Sequence, residues 1–199
     1  PGETRSLPGS GTKNGVTFID ARRGFIGGAI PMTDHFHFYI TEEGGASWSQ
    51  ETGLSLTGEF SGSFLDVWQP VFVDSRTGFL PVRAVGAGDG FPLLIYRSTD
   101  AGRTWAYQGA IPGGQDVVFI SPEVGWAVSE GSLFQTVNGG TRWETVPTSG
   151  LPSDETLLHV NFVDQEHGWL LAFHENGSET LRKLYRSLDG GGSWDLLQP

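Results

Sequence analysis

The octapeptide Ser98-Thr-Asp100-Ala-Gly102-Arg-Thr104-Trp105 decides the fold, because its pattern occurs four times within 199 residues. The other copies occupy residues 41–48, 136–143 and 187–194. In each copy Ser or Thr ends a strand, an acidic or amide side chain accepts hydrogen bonds from nearby backbone N–H groups, and Gly permits a positive φ. The final Trp is expected to pack on a neighbouring sheet. The pattern predicts four tight turns between strands, in which the acidic residues have a structural task.

A second motif precedes each turn, and it consists of a Phe followed six residues later by Gly and then Phe or Trp. Its copies begin at Phe18, Phe72, Phe119 and Phe162. Identical spacing in all copies indicates a structural repeat, and each repeat is long enough for four short strands. The chain has 30 glycines and 12% aromatic residues, a composition that suits short strands with tight turns and argues against a helical bundle.

The turn motif resembles the Asp-box, or BNR repeat, of β-propellers in the sialidase-like superfamily. The residues that match or replace its defining positions are Glu43, Gly45, Trp48, Asp100, Gly102, Trp105, Asn138, Gly140, Trp143, Asp189, Gly191 and Trp194. Such propellers include sialidases, some glucan hydrolases, sortilin-type receptors and photosystem II assembly factors, and the repeat opening is most similar to the last of these. The resemblance implies an all-β chain: a β-propeller of four four-stranded antiparallel blades. We expect a single domain over residues 1–199, with blades at roughly 16–50, 70–107, 116–146 and 158–197.

Four blades are few for a propeller, and two interpretations stay open. The blades either close by themselves or form part of a larger ring. Residues 3–9 are similar to residues 144–152, which leave the third blade, and this similarity favours the larger ring. An open ring has bare blade edges, so we expect that the chain can self-associate through them.

Length variation is predicted on one face of the propeller. With the strands of a blade lettered A to D outward from the centre, the A–B and C–D turns share a face, and both have constant lengths. The links between blades vary, since the distance from the turn Trp to the next motif Phe is 24, 14 and 19 residues. Insertions in repeat proteins usually mark the binding face. The predicted binding face is built from residues 26–35, 49–69, 80–92, 106–116, 144–158 and 173–181.

Trp68 draws attention on this face, because it lies in the longest link and outside the register of the turn motif. An aromatic ring beside a carboxylate suits contact with a sugar or a peptide. The predicted contact residues are Phe64, Asp66, Trp68, Arg83, Asp89, Phe91 and Tyr107. The structural alternative is that Trp68 covers the edge of the next blade. We expect a non-catalytic binding or assembly module that holds a protein or a glycan.

No catalytic residue is assigned. The resemblance implies that a sialidase needs three arginines around a carboxylate and a tyrosine paired with a glutamate. Only Arg5, Arg83 and Arg182 can lie near the variable face, and Tyr107 alone among the tyrosines lies outside repeat positions. The N-terminal Arg-Ile-Pro signature of sialidases is absent, so sialidase activity is not expected. A fragment or relative of a propeller glycoside hydrolase stays an alternative, because several carboxylates map to that face. A photosystem assembly-type factor is the second alternative, and it rests on the resemblance alone.

Charge and composition restrict the partners. The net charge is −11, from 12 Lys+Arg and 23 Asp+Glu, which disfavours nucleic acid and anionic membrane surfaces. The absence of cysteine excludes disulfides, and no apolar run is long enough for membrane insertion. His35 and His37 alternate on a predicted strand, but no third ligand is marked, so we expect no metal and no cofactor. Many propellers of this kind are exported, which favours an extracytoplasmic location.

Overall fold

The structure is a computed structural model that describes residues 11–56, 58–86, 91–176 and 179–197. The chain divides into two compact units, residues 1–107 and 108–199, and each holds two of the predicted blades. The prediction of an all-β chain is confirmed: within the described ranges the only helix is the short 3-10 turn Gly58–Phe60. In this part of the chain, no helix has the length and apolar character needed to span a bilayer.

The first unit joins its two blades in one continuous sheet. Blade one consists of β1 (Thr12–Phe18), β2 (Gly24–Ala29), β3 (His37–Thr41) and β4 (Ser49–Gln50). Blade two consists of β5 (Phe64–Val67), β6 (Val71–Phe72), β7 (Gly78–Val85), β8 (Leu93–Ser98) and β9 (Ala106–Ile111), and β9 runs across the unit boundary. The order is β4-β3-β2-β5-β7-β8-β9, with β1 on β2 and β6 on β7. The blades share a sheet because β5 pairs with both β2 and β7.

The second unit contains two separate four-stranded antiparallel sheets. Blade three consists of β10 (Gly114–Phe119), β11 (Gly125–Ser129), β12 (Ser132–Thr136) and β13 (Glu144–Thr145). Blade four consists of β14 (Thr156–Phe162), β15 (Gly168–Asn176), β16 (Glu179–Ser187) and β17 (Asp195–Leu197). A cluster of buried apolar side chains from both blades forms the core of this unit; it includes Trp126, Leu133, Phe162, Leu170 and Trp194.

A short polar side chain sets the length of each A–B turn. Asp20 Oδ1 accepts hydrogen bonds from the backbone N–H groups of Arg22 and Arg23, both at 2.7 Å. The same bonds form at the equivalent residues Asp74, Ser121 and Asp164. Because this side chain fixes the turn, the spacing from Phe to Gly is identical in all four repeats.

A backbone hydrogen bond joins the A–B turn to the C–D turn in every blade. In blade one the Gly44 N–H donates to the Arg22 carbonyl at 2.7 Å. Equivalent bonds start at Ala101, Gly139 and Gly190. They confirm that the two constant turns lie at the same end of each blade. We call this end the turn face, and the end with the B–C turns and interblade links the loop face.

The predicted variation in length is confirmed at the loop face. Blades one and two are linked by residues 51–63, whereas Pro112 and Gly113 alone separate β9 from β10. The third link needs a correction, because part of residues 144–158 lies at the turn face. The Ser149 N–H donates to the Gly192 carbonyl at 2.9 Å, and the Trp194 N–H donates to the Ser149 carbonyl at 3.0 Å. This stretch therefore packs on the turn of blade four.

The inner strands begin earlier than predicted. They start at Thr12, Phe64, Gly114 and Thr156 rather than near residues 16, 70, 116 and 158. Each contains an irregularity four residues before the motif Phe, at Asn14, Trp68, Gln115 and Leu158. A bulge breaks the alternation of inward and outward side chains, which hid the first half of each strand in the sequence. Trp68 consequently lies at the break between β5 and β6, the two segments of the inner strand of blade two, and not in an interblade link.

Candidate functional site

Pairing of β5 with β7 brings four of the predicted contact residues together. Phe64 lies opposite Val85, and Asp66 lies opposite Arg83. Leu65 and Val67 are buried, whereas Phe64 is 39% exposed and Asp66 is half-buried. Because strand side chains alternate between faces, Phe64, Asp66 and Arg83 share the accessible face of this strand pair. We call Phe64, Asp66, Trp68 and Arg83 the Trp68 platform.

The bulge places the indole of Trp68 on the same platform. The Trp68 N–H donates to the Pro81 carbonyl at 3.0 Å. Its half-buried ring lies under the Arg83 guanidinium, whose central carbon is 5.3 Å from the ring centroid. This is a cation–π contact, and it orients both side chains. The structure thus combines an aromatic ring with a cation and a carboxylate on one accessible surface.

Asp66 is bonded to blade one as well as facing Arg83. The Asn14 side-chain amide donates to the Asp66 carboxylate, and it also donates to the Val67 carbonyl at 3.3 Å. A carboxylate engaged in this way is oriented as a hydrogen-bond acceptor, and its pairing does not resemble the separated acid and base of a hydrolase. The platform is therefore suited to binding.

A cleft of about 400 Å³ opens at the loop face of the first unit. Its lining includes Asp34, Phe36, Glu51, Ser55 and Ser61. Two hydrogen bonds fix the segments that line the cleft: the Leu65 N–H donates to the Thr33 carbonyl at 3.2 Å, and the Tyr96 hydroxyl donates to the Ser55 carbonyl at 2.9 Å. Because β5 begins two residues after the cleft residue Gly62, the cleft and the platform are neighbours along the chain.

The remaining predicted contact residues lie elsewhere. Tyr107 packs behind the link, 5.7 Å from the ring of Tyr96 and 6.3 Å from that of Phe60, and burial together with the Glu59 charge raises its pKa. Phe91 is 53% exposed and has a positive φ of 47°. It precedes Pro92, whose carbonyl accepts from the Ala84 N–H at 3.0 Å, so Phe91 lies near the end of β7. Asp89 falls outside the described residues.

Sequence reasoning missed two partly buried polar pairs, which involve both lysines of the chain. Lys13 Nζ lies 2.8 Å from His37 Nε2, and burial, followed by the Lys13 charge, lowers the pKa of His37. Lys183 contacts Glu155, whose side chain is fully buried. Burial, with Glu155 beside it, raises the pKa of Tyr185 above its usual range. One feature of the sequence points to these pairs: when the repeats are aligned, His37 and Lys183 occupy equivalent positions on strand C.

The two histidines considered as metal ligands lie in different surroundings. His35 precedes β3 and its side chain is 81% exposed, whereas His37 is 1% exposed. Across the described ranges, no three histidine, aspartate or glutamate side chains converge in the manner of a metal site.

The four turns that end in Trp have a structural task. Asp100 accepts hydrogen bonds from the Arg103 and Thr104 N–H groups, both at 2.9 Å, and from the Thr104 and Ser98 hydroxyls. Burial opposes these bonds, but together they lower the pKa of Asp100 to about 2. The acceptor reaches the N–H groups of the third and fourth following residues.

The other turns keep part of this arrangement. Asp189 repeats the pattern through Ser193 and Ser187, and its pKa is lowered to about 2. Asn138 accepts from the Arg142 N–H at 2.9 Å, and Glu43 accepts from the Ser47 hydroxyl at 2.8 Å. The glycines at the fifth position have positive φ in every turn, as at Gly45, Gly102, Gly140 and Gly191. Each Trp then meets the motif Phe of its own blade with ring centroids about 6 Å apart.

These repeated antiparallel blades define the fold as that of a β-propeller, and solved structures agree. YCF48 from Cyanidioschyzon merolae matches 98% of this chain with a TM-score of 0.62 at 16% sequence identity. An ancestral GH74 enzyme matches 93% of the chain with a TM-score of 0.61 at 12% identity. This chain spans 58% of the length of the first and 25% of the second. No protein-family profile and no curated protein matches the sequence.

Proposed function

We propose that this chain is a non-catalytic binding module that holds a glycan or protein ligand at the loop face of its first unit. The observation that carries the proposal is the Trp68 platform, where Trp68, Arg83, Asp66 and Phe64 share one accessible strand-pair face. Trp and Arg are the residues most often responsible for binding energy at interfaces. The four Trp turns, which we assign to the Asp-box class, act as the frame.

Of the two ligand classes, the geometry favours a glycan. A sugar ring needs an aromatic surface for its C–H groups and paired polar groups for its hydroxyls, and Trp68 with Asp66, Arg83 and Asn14 provides both. The cleft, a neighbour of the platform along the chain, is lined largely by hydroxyl, amide and carboxylate side chains, and its volume of about 400 Å³ is in the range of small-ligand sites. An extracytoplasmic location, where glycans are common ligands, belongs to the same proposal.

The test is affinity electrophoresis of the purified chain through gels that contain soluble neutral or acidic polysaccharides, followed by titration calorimetry with any that retards it. We expect Trp68→Ala to weaken binding about tenfold or more, because about 1.4 kcal/mol is a modest share for an interface Trp. Phe64→Ala is the second variant, since its 39% exposed ring can be removed with little effect on the core. Val137→Ala, on a 68% exposed turn-face residue, is the control.

If both platform variants bind the polysaccharide as tightly as the wild type, the Trp68 platform is not the binding site. If no polysaccharide binds, the same variants are tested in a screen of displayed peptides, which samples the protein-ligand alternative. Loss of peptide capture by Trp68→Ala but not by Val137→Ala would then assign a protein ligand to the platform.

A hydrolase related to propeller glycosidases is the second candidate, and one observation favours it. Burial raises the pKa of Asp116 on the inner strand of blade three, against the opposing effect of the Val160 N–H and His159. A carboxyl group with a raised pKa suits a general acid. Release of reducing ends by the wild-type chain and its loss in Asp116→Asn would support this function; no release from the polysaccharide panel would count against it.

Assistance to photosystem assembly is the third candidate, and it rests on the repeat opening and on the likeness in fold to YCF48. A pull-down of photosystem subunits from solubilised thylakoids tests it directly. If the wild-type chain captures a subunit and Trp68→Ala abolishes the capture, this function is assigned to the platform. If the wild-type chain captures no subunit, this candidate function is contradicted.

A further inference from the structure

The joint between neighbouring blades has two aromatic halves. In the first unit, Phe25 of β2 stacks on Phe72 of the next blade with ring centroids 5.4 Å apart, and Trp105 meets both rings edge-on. In the second unit, Trp126 of β11 stacks on Phe162 of the next blade at 3.9 Å. One half is therefore an aromatic residue of strand B, and the other is the motif Phe with the turn Trp of the following blade.

Blade one presents a preformed second half. Phe18 and Trp48 meet edge-on at 6.1 Å, which is the arrangement that their equivalents have inside the joints. Phe18 is nevertheless 45% exposed and Val16 is 56% exposed. At the joint in the second unit the equivalent residues Phe162 and Val160 are only 3% and 5% exposed. This surface, Val16, Phe18 and Trp48, is the first-blade face.

Blade four presents the matching first half. Trp169 occupies the position of Phe25 and Trp126 but is half-buried, whereas those two are fully buried. Leu184 is 43% exposed, whereas its equivalents in the other blades, Phe38, Ile95 and Leu133, are at most 1% exposed. Leu171 pairs with Leu184 across the strands and shares its face. Trp169, Leu171 and Leu184 form the last-blade face.

We propose that the last-blade face of one copy docks on the first-blade face of a second copy and reproduces the internal joint. Each chain carries both halves, so the contact is head-to-tail and not twofold symmetric. Inside the second unit, the Trp126 indole N–H donates to the Gly190 carbonyl at 3.1 Å. The same register places the indole of Trp169 against the carbonyl of Gly44 in the second copy, since Gly44 and Gly190 hold the same place in their turns.

The test is sedimentation velocity of the whole chain over a wide dilution range. We expect the wild type to form species at multiples of 21.5 kDa that dissociate on dilution. Val16→Glu or Leu184→Glu places a charge in one half of the joint, and each variant alone is expected to stay monomeric. Both residues are exposed, so circular dichroism of the variants should match the wild type. Val137→Glu, at a 68% exposed turn-face position, is the matched control and should associate like the wild type.

A mixing experiment distinguishes the head-to-tail joint from any other contact. Val16→Glu keeps an intact last-blade face, and Leu184→Glu keeps an intact first-blade face. A mixture of the two is therefore expected to form dimers and nothing larger. The proposal is overturned if the wild type stays at 21.5 kDa at every concentration, if the single variants associate as the wild type does, if Val137→Glu also dissociates the wild-type species, or if the mixture stays monomeric.

Discussion

The joint in the first unit and the joint in the second use different donors to reach the turn of the following blade. In the first, the B-strand aromatic is Phe25, whose side chain has no N–H group, and Arg23 donates from Nη2 to the Gly102 carbonyl at 2.9 Å. In the second, Trp126 donates from its own indole, and Val124 stands at the position of the arginine. Ring packing is thus common to both joints, while the polar contact comes from a different position in each joint.

The joints also differ in how their inner strands meet. In the first unit β5 pairs with β2, so backbone hydrogen bonds carry the sheet from one blade to the next. In the second unit the sheets are separate, and the Asp116 carboxylate accepts from the Val160 N–H at 2.9 Å instead. A side chain therefore takes the place of a strand pairing in the second joint.

The largest effect is expected from removing the stacked ring of the second joint. Trp126→Ala deletes a fully buried indole that stacks on Phe162, and we expect it to lower the free energy of unfolding by about 3–5 kcal/mol. Urea titration followed by circular dichroism measures the loss. A cost near that of an exposed substitution such as Val137→Ala would contradict the view that ring stacking holds the joint.

The arginine of the first joint comes next. Arg23→Met removes a buried guanidinium that contacts Glu42 and the Gly102 carbonyl, and we expect a loss of about 2 kcal/mol because the carbonyl loses a charged donor. Arg22→Met is the matched control, since Arg22 is exposed, and it should change stability by less than about 0.5 kcal/mol. Equal effects of the two variants would show that Arg23 does not anchor the joint.

Exchange of the donors sharpens the comparison. Trp126→Phe keeps a ring but deletes the N–H that reaches Gly190, at an expected cost of about 1–2 kcal/mol. Adding Val124→Arg recreates the pair found in the first unit and should recover part of that loss. A double-mutant cycle measures the coupling between the two positions, and strict additivity would mean that they do not share a task.

The smallest effect concerns Asp116 and depends on pH. Burial raises the pKa of Asp116 in the folded chain, so the stability linked to its protonated form is present below the unfolded value and is lost as pH rises through the folded value. Asp116→Asn keeps an acceptor for the Val160 N–H and is expected to gain less than about 1 kcal/mol at neutral pH. His159, 3.4 Å from the carboxylate, limits the gain.

Thermal melting of both chains from weakly acidic to neutral pH measures this difference, which should shrink as the pH falls. The opposite dependence is expected of Asp100 and Asp189, because hydrogen bonds lower their pKa values to about 2 and their contribution is lost on acidification. If the wild type melts at a higher temperature than Asp116→Asn at neutral pH, the ionised carboxylate stabilises the second joint.

The blades were predictable from the sequence because their turns depend on local chemistry. Asp20 and Asp100 bond to backbone groups within four residues, and such contacts leave a fixed spacing in the sequence. The bulges were not predictable, because Asn14, Trp68, Gln115 and Leu158 have no side-chain property in common. Only counting back from the motif Phe aligns them.

Only part of the candidate site followed from the sequence. Trp68 stood out as an aromatic residue in an unexplained place, but its contact with Arg83 depends on a strand register that no local pattern records. Tyr107 was grouped with it because both lie outside repeat positions, yet its ring packs on Tyr96 and Phe60. The buried pairs of Lys13 and Lys183 were missed because each joins residues distant in the chain.

The turn of blade three also bears on chemical ageing. Asn138 precedes Gly139, and such a pair normally deamidates quickly, because the glycine nitrogen attacks the asparagine side chain. Here the Gly139 N–H is held by the Glu123 carbonyl at 2.8 Å, while the Asn138 amide oxygen accepts from Arg142. The nucleophile and its target are both fixed, so we expect Asn138 to persist in the folded chain and to deamidate on unfolding. The succinimide formed by that attack opens to isoaspartate and aspartate, and only the aspartate would match the residue already present in the turns of blades two and four.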